Sequence, residues 1–503
     1  MKHFLRLIFT FFLILHFSSN VSAQGAMDHW VDSVFNSLSP QERIAQLLVV
    51  RANNPGKGYR DEVTRYIKKY NIGGLTFFRG DAIDQALVTN KWQDLAKTPL
   101  FISIDAEWGL GMRVNDAISF PFQMTLGAIS DNALIYEMGR AVAIQCRRMG
   151  IHINFAPVAD INSNPVNPII GMRSFGEDKQ QVSEKAIAYM KGMEEQRIIA
   201  TGKHFPGHGD TDTDSHHTLP IINHDKSRLD SVELYPFRKL IDAGISGIMI
   251  AHLYIPELEK KPELASTLSP NIVNKLLRKQ LGFDGLIITD ALDMQGVTKY
   301  HKAGEIELKA LEAGNDILLL PEDVPAAIRA IRKAISQKKI KQSLVDERCK
   351  KILRFKYQAG LDQEQFIDTT SLVKDLNASY YQSLNRRLYQ ASLTLIKNSR
   401  DIIPLKRLDT LNIASVSIGS TMPSPFQETL KKYAPVSCFQ TSTVPDESEM
   451  IKLMSDLQVY NLLIIDFQNT NIFPWKNYGV SNEAIRLIGK MAGEKQVILN
   501  IAA

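Results

Sequence analysis

Between Lys203 and His217 the chain reads Lys-His-Phe-Pro-Gly-His-Gly-Asp-Thr-Asp-Thr-Asp-Ser-His-His. Fifteen residues hold one lysine, four histidines and three aspartates. Such side chains do not build a core, because a buried charge or imidazole without a partner is costly. Pro206, Gly207 and Gly209 break a continuous helix and the polar density argues against a buried strand, so the stretch reads as a loop that carries chemistry. Three uses fit these residue types. His204, His208, His216 and His217 could ligate a metal, although the i, i+4 spacing of zinc helices needs a helix and Pro206-Gly207 lies between His204 and His208. Asp214, two residues before His216, could orient the imidazole and raise its basicity for general acid and base work. A solvated polar loop, with histidines that only make hydrogen bonds, is the third.

A second chemical signal lies at Phe283-Asp-Gly-Leu-Ile-Ile-Thr-Asp-Ala-Leu-Asp-Met294. A strongly apolar run drives straight into the carboxylate of Asp290. An aspartate there could cap the following helix. Beside a histidine acid it could instead displace a leaving group covalently and release the intermediate to water.

Positioning these groups falls to an alternation of short apolar runs and helix-like segments. Runs end at Leu47–Val50, Leu75–Phe78, Leu100–Ile104, Ile153–Val158, Ile198–Thr201, Ile248–Ala251, Leu286–Thr289 and Ile317–Leu320. Periodic segments lie between them, with Val324–Ser336 closing the series. Eight strands each followed by a helix predict a (β/α)8 barrel, with a doubly wound sheet as the alternative. A barrel carries its active site at the C-terminal strand ends, so polar residues should follow each run. Arg79 follows the second, Asp105 and Glu107 the third, Asp160 and Asn162 the fourth, Lys203 and His204 the fifth, His252 the sixth, and Asp290 and Asp293 the seventh.

With the motifs Ile104-Asp-Ala-Glu-Trp-Gly-Leu-Gly-Met-Arg113, Asn154-Phe-Ala-Pro-Val-Ala-Asp160 and Gly171-Met-Arg-Ser-Phe-Gly-Glu-Asp178 added to the two above, the chain resembles the bacterial β-N-acetylglucosaminidases of glycoside hydrolase family 3. The resemblance runs in order from about Ser37 to about Lys356. It implies that Asp290 is the nucleophile, that His216 held by Asp214 is the acid/base, and that neither metal nor organic cofactor takes part. It further implies that Asp105, Arg113, Arg173, Lys203 and His204 hold the terminal sugar, where the bare residue types would also suit structural ion pairs. Trp108 departs from the family, which often has glycine after the glutamate. His208 and Asp210 are expected to shape the loop internally. The implied activity is removal of terminal β-linked N-acetylhexosamine from peptidoglycan-derived or chitin-type sugars. Rivals are a family 3 β-glucosidase, a phosphorylase, a metal-dependent amidohydrolase using His204, His208, His252 and Asp290, and a sugar-binding protein without turnover.

The start of the chain places the protein in a compartment. A basic Met1-Lys2-His3, an apolar run from Phe4 to Phe17 and Val21-Ser22-Ala23 predict a signal peptide over residues 1–23, with export to the periplasm or medium and no stable membrane insertion afterwards. Three scattered cysteines make no disulfide framework. A formal net charge of +5, with both signs interspersed, speaks against a nucleic-acid partner and leaves a carbohydrate one. Past a catalytic domain at 24–361 and a linker with connecting helix at 362–390, residues 391–503 predict the start of an open α/β sheet. Its strands are expected at Leu393–Ile396, Leu411–Val416, Pro435–Phe439, Leu462–Phe467 and Val497–Ile501, and the domain is expected to be partial.

Overall fold

A computed structural model describes residues 24–52, 58–213, 218–363 and 366–501. The expected signal peptide, and Asp214 and His216 with it, lie outside these residues. The chain divides into two compact units at Leu393/Thr394.

The first unit is built on eight parallel strands: β1 (Leu48–Arg51), β2 (Gly74–Phe77), β3 (Phe101–Ile104), β4 (Ile153–Asn154), β5 (Ile199–Phe205), β6 (Gly247–Ile250), β7 (Leu286–Thr289) and β8 (Leu318–Leu319). They pair in the order β7-β6-β5-β4-β3-β2-β1-β8, and a bridge between Ile288 and Ile317 joins the two ends into a closed barrel. Helices follow the strands: α1 (Tyr59–Tyr70), α2 (Ala82–Leu95), α3 (Asn132–Arg148), α4 (Lys179–Glu194), α5 (Tyr235–Asp242), α6 (Asn271–Gln280), α7 (Glu305–Ala313) and α8 (Val324–Ser336). α6 is wound with π-type spacing. Strands covered by helices outside and by side chains inside are buried on both faces, which is why they read as continuous apolar runs. One core runs through the barrel and its helices.

Two strand ends differ from expectation in ways that bear on the site. The fourth run does not continue as a strand to Val158, because Pro157 has no N–H for the ladder. Val158 rejoins the sheet through a bridge to Lys203. The fifth strand runs past Thr201 to Phe205, with a register shift between Gly202 and Phe205. Lys203 and His204 therefore stand on the strand itself rather than in the loop beyond it.

Residues 366–393 belong to the first unit. Leu372, Leu376, Tyr381, Leu384 and Leu388 are buried in the barrel core, so the stretch read as linker and connecting helix packs as part of the barrel unit. In the second unit, β9 (Ile413–Ile418), β10 (Val436–Thr441), β11 (Leu462–Phe467) and β12 (Gln496–Ile501) form a parallel sheet in the order β10-β9-β11-β12. The strand expected at Leu393–Ile396 does not form. Its three apolar residues, Leu393, Leu395 and Ile396, join no described strand and are exposed. Cys146 and Cys349 are buried, Cys438 is half-buried, and all three are free thiols. No helix among the described residues is long and apolar enough to cross a membrane.

Candidate active site

The C-terminal mouth of the barrel gathers most of the residues singled out above. Asp105 leaves β3 and receives two cations: Arg113 Nη2 donates to Oδ2 at 2.8 Å and Lys203 Nζ to Oδ1 at 2.8 Å. The turn holding Asp105 is fixed at its next residue, where the N–H of Ala106 donates to Asn154 Oδ1 and the Tyr189 hydroxyl donates to the Ala106 carbonyl. Burial alone would raise the Asp105 pKa, but Lys203 and Arg113 outweigh it and hold the carboxyl well below the usual carboxylate range.

Beneath this pair lies Glu107, fully buried. Lys203 Nζ stands 2.7 Å from its Oε1, and Arg173 donates to it through Nη2 at 2.7 Å and Nε at 3.0 Å. Desolvation pushes its pKa up, Arg173 and Lys203 pull it further down, and the result is about 2. A carboxylate shared by two cations sets their positions, and Glu107 thus anchors two sugar-facing candidates at once. The sequence marked Glu107 only as polar residue of the third strand end. Its partners are 66 residues and more away along the chain, beyond what spacing can reveal.

Asp160 plays the same part for the histidine loop. Its Oδ1 accepts the N–H of His208 at 2.7 Å, and its Oδ2 accepts the N–H of His204 at 3.1 Å and faces His204 Nδ1 at 2.7 Å. Arg173 Nη2 lies 3.2 Å from His204 Nε2. A guanidinium can only donate, so Nε2 holds the lone pair and the ring proton sits on Nδ1 toward Asp160. The loop then turns on two glycines. Gly207 has φ +124°, and a Cβ on Gly209 would come within 1.7 Å of the Ile161 carbonyl oxygen, so the loop can lie against the segment after β4 only without side chains there. His208 is buried and faces Thr211 Oγ1 at 2.8 Å; burial, then His204, brings its pKa down to about 4. This is an internal role, as expected of it.

Asp290 ends β7 and is half-buried. Its Oδ1 accepts the N–H of Ala291 at 2.8 Å. Burial favours the neutral acid, but His252, His204, that N–H and Lys203 together lower its pKa, leaving an ionised carboxylate on a rigid strand end. His252 braces the next residue: its Nε2 faces the Ala291 carbonyl at 2.9 Å and, since a carbonyl only accepts, must donate. Asp293 pairs with Arg51 at 2.9 Å, joining the ends of β7 and β1 at the rim. Trp108 is half-buried and packs edge-on against Phe122 with ring centroids 4.7 Å apart.

An ionised carboxylate, a set of cationic donors and an oriented imidazole can attack an electrophilic carbon and hold a polyhydroxylated ring while they do so. The amidohydrolase ligand set, His204, His208, His252 and Asp290, does not converge at ligand spacing. Among the described residues one group does, Asp210, His224 and Glu233.

The linked carboxylates predict an acid limit to stability. Glu107 has its pKa lowered on folding, so its contribution is complete above the unfolded value near 4.5 and is lost as pH falls toward about 2. Melting temperature should therefore fall across that window, and Glu107→Gln should flatten the slope there. An unchanged slope in the variant would remove Glu107 from the acid response.

A family model for the N-terminal domain of glycosyl hydrolase family 3 matches residues 40–355. Beta-hexosaminidase A of Pseudoalteromonas piscicida is 31% identical over 377 residues, which cover 69% of this chain and 62% of that protein. The chain thus spans less than two thirds of that relative. A protein of Cellulomonas fimi named beta-N-acetylglucosaminidase/beta-glucosidase is 25% identical over 386 residues, 75% of this chain and 68% of that one. Among solved structures, a family 3 β-N-acetylglucosaminidase from Paenibacillus sp. FPU-7 superposes with a TM-score of 0.74 at 30% identity, covering 92% of this chain and 90% of its own.

Proposed function

The chain belongs to glycoside hydrolase family 3, and from that membership we propose that it is an exported, retaining exo-β-N-acetylglucosaminidase. Its substrates are peptidoglycan-derived or chitin-type sugars with a terminal β-linked N-acetylhexosamine. Asp290 attacks the anomeric carbon while His216, oriented by Asp214, gives its proton to the departing glycosidic oxygen. The glycosyl ester on Asp290 is then opened by water, whose proton returns to His216, and the sugar leaves with its β configuration restored. A histidine becomes neutral on giving up its proton and so repels an anionic acceptor less than the second carboxylate of most retaining glycosidases would. Asp105, Arg113, Arg173, Lys203 and His204 take the hydroxyls of the terminal ring. The observation that carries this reading is Asp290, an ionised carboxylate fixed at the end of β7 and sharing the barrel mouth with the Asp105–Lys203–Glu107–Arg173 network.

The test is turnover of an aryl β-N-acetylglucosaminide with the product anomer followed by NMR before mutarotation, in chelator, and with and without phosphate. We expect the β anomer of free N-acetylglucosamine, turnover that persists in chelator and no sugar phosphate. An α product sinks the double displacement, and a sugar 1-phosphate makes the enzyme a phosphorylase. Because the Cellulomonas relative's name pairs two activities, the matching aryl β-glucoside belongs in the same assay; faster turnover of it would overturn the sugar assignment. Export predicts a mature protein beginning at Gln24.

A further inference from the structure

We propose that Asp210, His224 and Glu233 form a binding site for a divalent cation of the zinc type, which fastens the base of the histidine loop to the segment that follows it. One ligand atom from each of the three lies within 4.8 Å of the others. Asp210 and His224 are in direct contact, Oδ2 to Nε2 at 2.6 Å. Zinc bonds of about 2.0–2.2 Å set neighbouring ligand atoms about 3–3.5 Å apart, so an ion enters if this contact opens by about 1 Å and the Glu233 oxygen closes in.

Glu233 supplies an independent reason to expect a ligand. Its side chain is 5% exposed, and Arg228 stands 3.1 Å from its Oε1. Its Oε2 is buried and has no hydrogen-bond partner. A buried carboxylate oxygen left bare is costly, and its usual remedy is a donor or a metal. An Asp–His hydrogen bond alone accounts for Asp210 and His224 but leaves Glu233 Oε2 unexplained. The loop also lies directly on this residue: a Cβ on Gly207 would sit 2.9 Å from Glu233 Cβ. One imidazole and two carboxylates suit zinc or cobalt better than calcium or magnesium, which prefer all-oxygen shells.

Asp210 comes four residues before Asp214 in the sequence, so an ion there would hold the near end of the loop while doing no chemistry on the sugar.

The experiment uses the full chain stripped with chelator and titrated with Zn2+ alone by calorimetry, with Co2+ absorption as an optical second measure and no sugar substrate present. We expect one equivalent bound and a rise in melting temperature, neither of them produced by Mg2+. His224→Ala, a half-buried site, and Asp210→Asn should each weaken binding at least tenfold, while His216→Ala should bind as the parent does. No binding by the parent, undiminished binding by His224→Ala, or loss of binding in His216→Ala would each overturn the proposal. Since no readout depends on turnover, its failure is distinguishable from failure of the glycosidase reading.

Discussion

Asp290→Ala should lower turnover of an aryl β-N-acetylglucosaminide by at least about a thousandfold, which corresponds to about 4 kcal/mol of lost transition-state stabilisation. The reason is chemical rather than architectural. Asp290 is half-buried and its side chain accepts a hydrogen bond from the adjacent Ala291 N–H. Removing it deletes the proposed nucleophile while leaving β7 and its neighbours in place. Stability should therefore change little. The decisive readout is rescue: azide can occupy the space left by the carboxylate and attack the same carbon in one step. The variant should regain activity with azide and yield the glycosyl azide of α configuration, one inversion where the parent makes two. A variant that keeps more than about a tenth of parental activity would show that another group is the nucleophile. Loss of activity with no azide product would leave Asp290 in a positioning role.

Much of this site could be read from the sequence, for reasons visible at particular residues. Asp105, His252 and Asp290 each stand directly after a run of buried apolar residues, and in a closed parallel barrel that position fixes which end of the molecule a side chain occupies. The barrel itself was legible because eight repeats of strand and helix leave few other ways to bury strands on both faces. What stayed hidden depends on contacts between distant parts of the chain. Lys203 and His204 look like loop residues, because a register shift within β5 leaves no mark in composition. Glu107 and Asp160 look like ordinary polar residues at strand ends until folding brings Arg173, Lys203 and His204 to them. At Leu393–Ile396 the local signal was present and the structure declined it, since β propensity expresses packing against a neighbouring strand and none of the described strands pairs there. The proposed acid/base pair, Asp214 and His216, rests on motif and resemblance, and loss of turnover in a His216→Ala variant would test it.

Glu107→Gln should be the most damaging substitution for the barrel mouth as a whole, affecting stability and activity together. Glu107 is fully buried and holds Lys203 at 2.7 Å and Arg173 at 2.7 Å. Breaking a buried ion pair by removing one partner costs about 3–5 kcal/mol, because the remaining charge stays in the interior without compensation. Here two cations are affected, and Asp105 remains for Lys203 while Arg173 keeps His204 and the Ile169 carbonyl. The melting temperature should fall by several degrees and kcat/KM by at least about a hundredfold, a scale expected when positioning groups shift by about 1 Å. These two effects need not share a cause, and a second substitution separates them. Adding Lys203→Met offsets the negative charge lost with Glu107 by removing one positive charge from the same cluster, so the double variant should recover part of the lost stability. Its activity should stay low, because the donor that Glu107 positioned is now gone. If the double variant is less stable than Glu107→Gln alone, then Lys203 is held mainly by Asp105 and the network is not centred on Glu107. If Glu107→Gln keeps full activity despite its lower stability, Arg173 and Lys203 do not need Glu107 to face the sugar, and the buried carboxylate serves the fold alone.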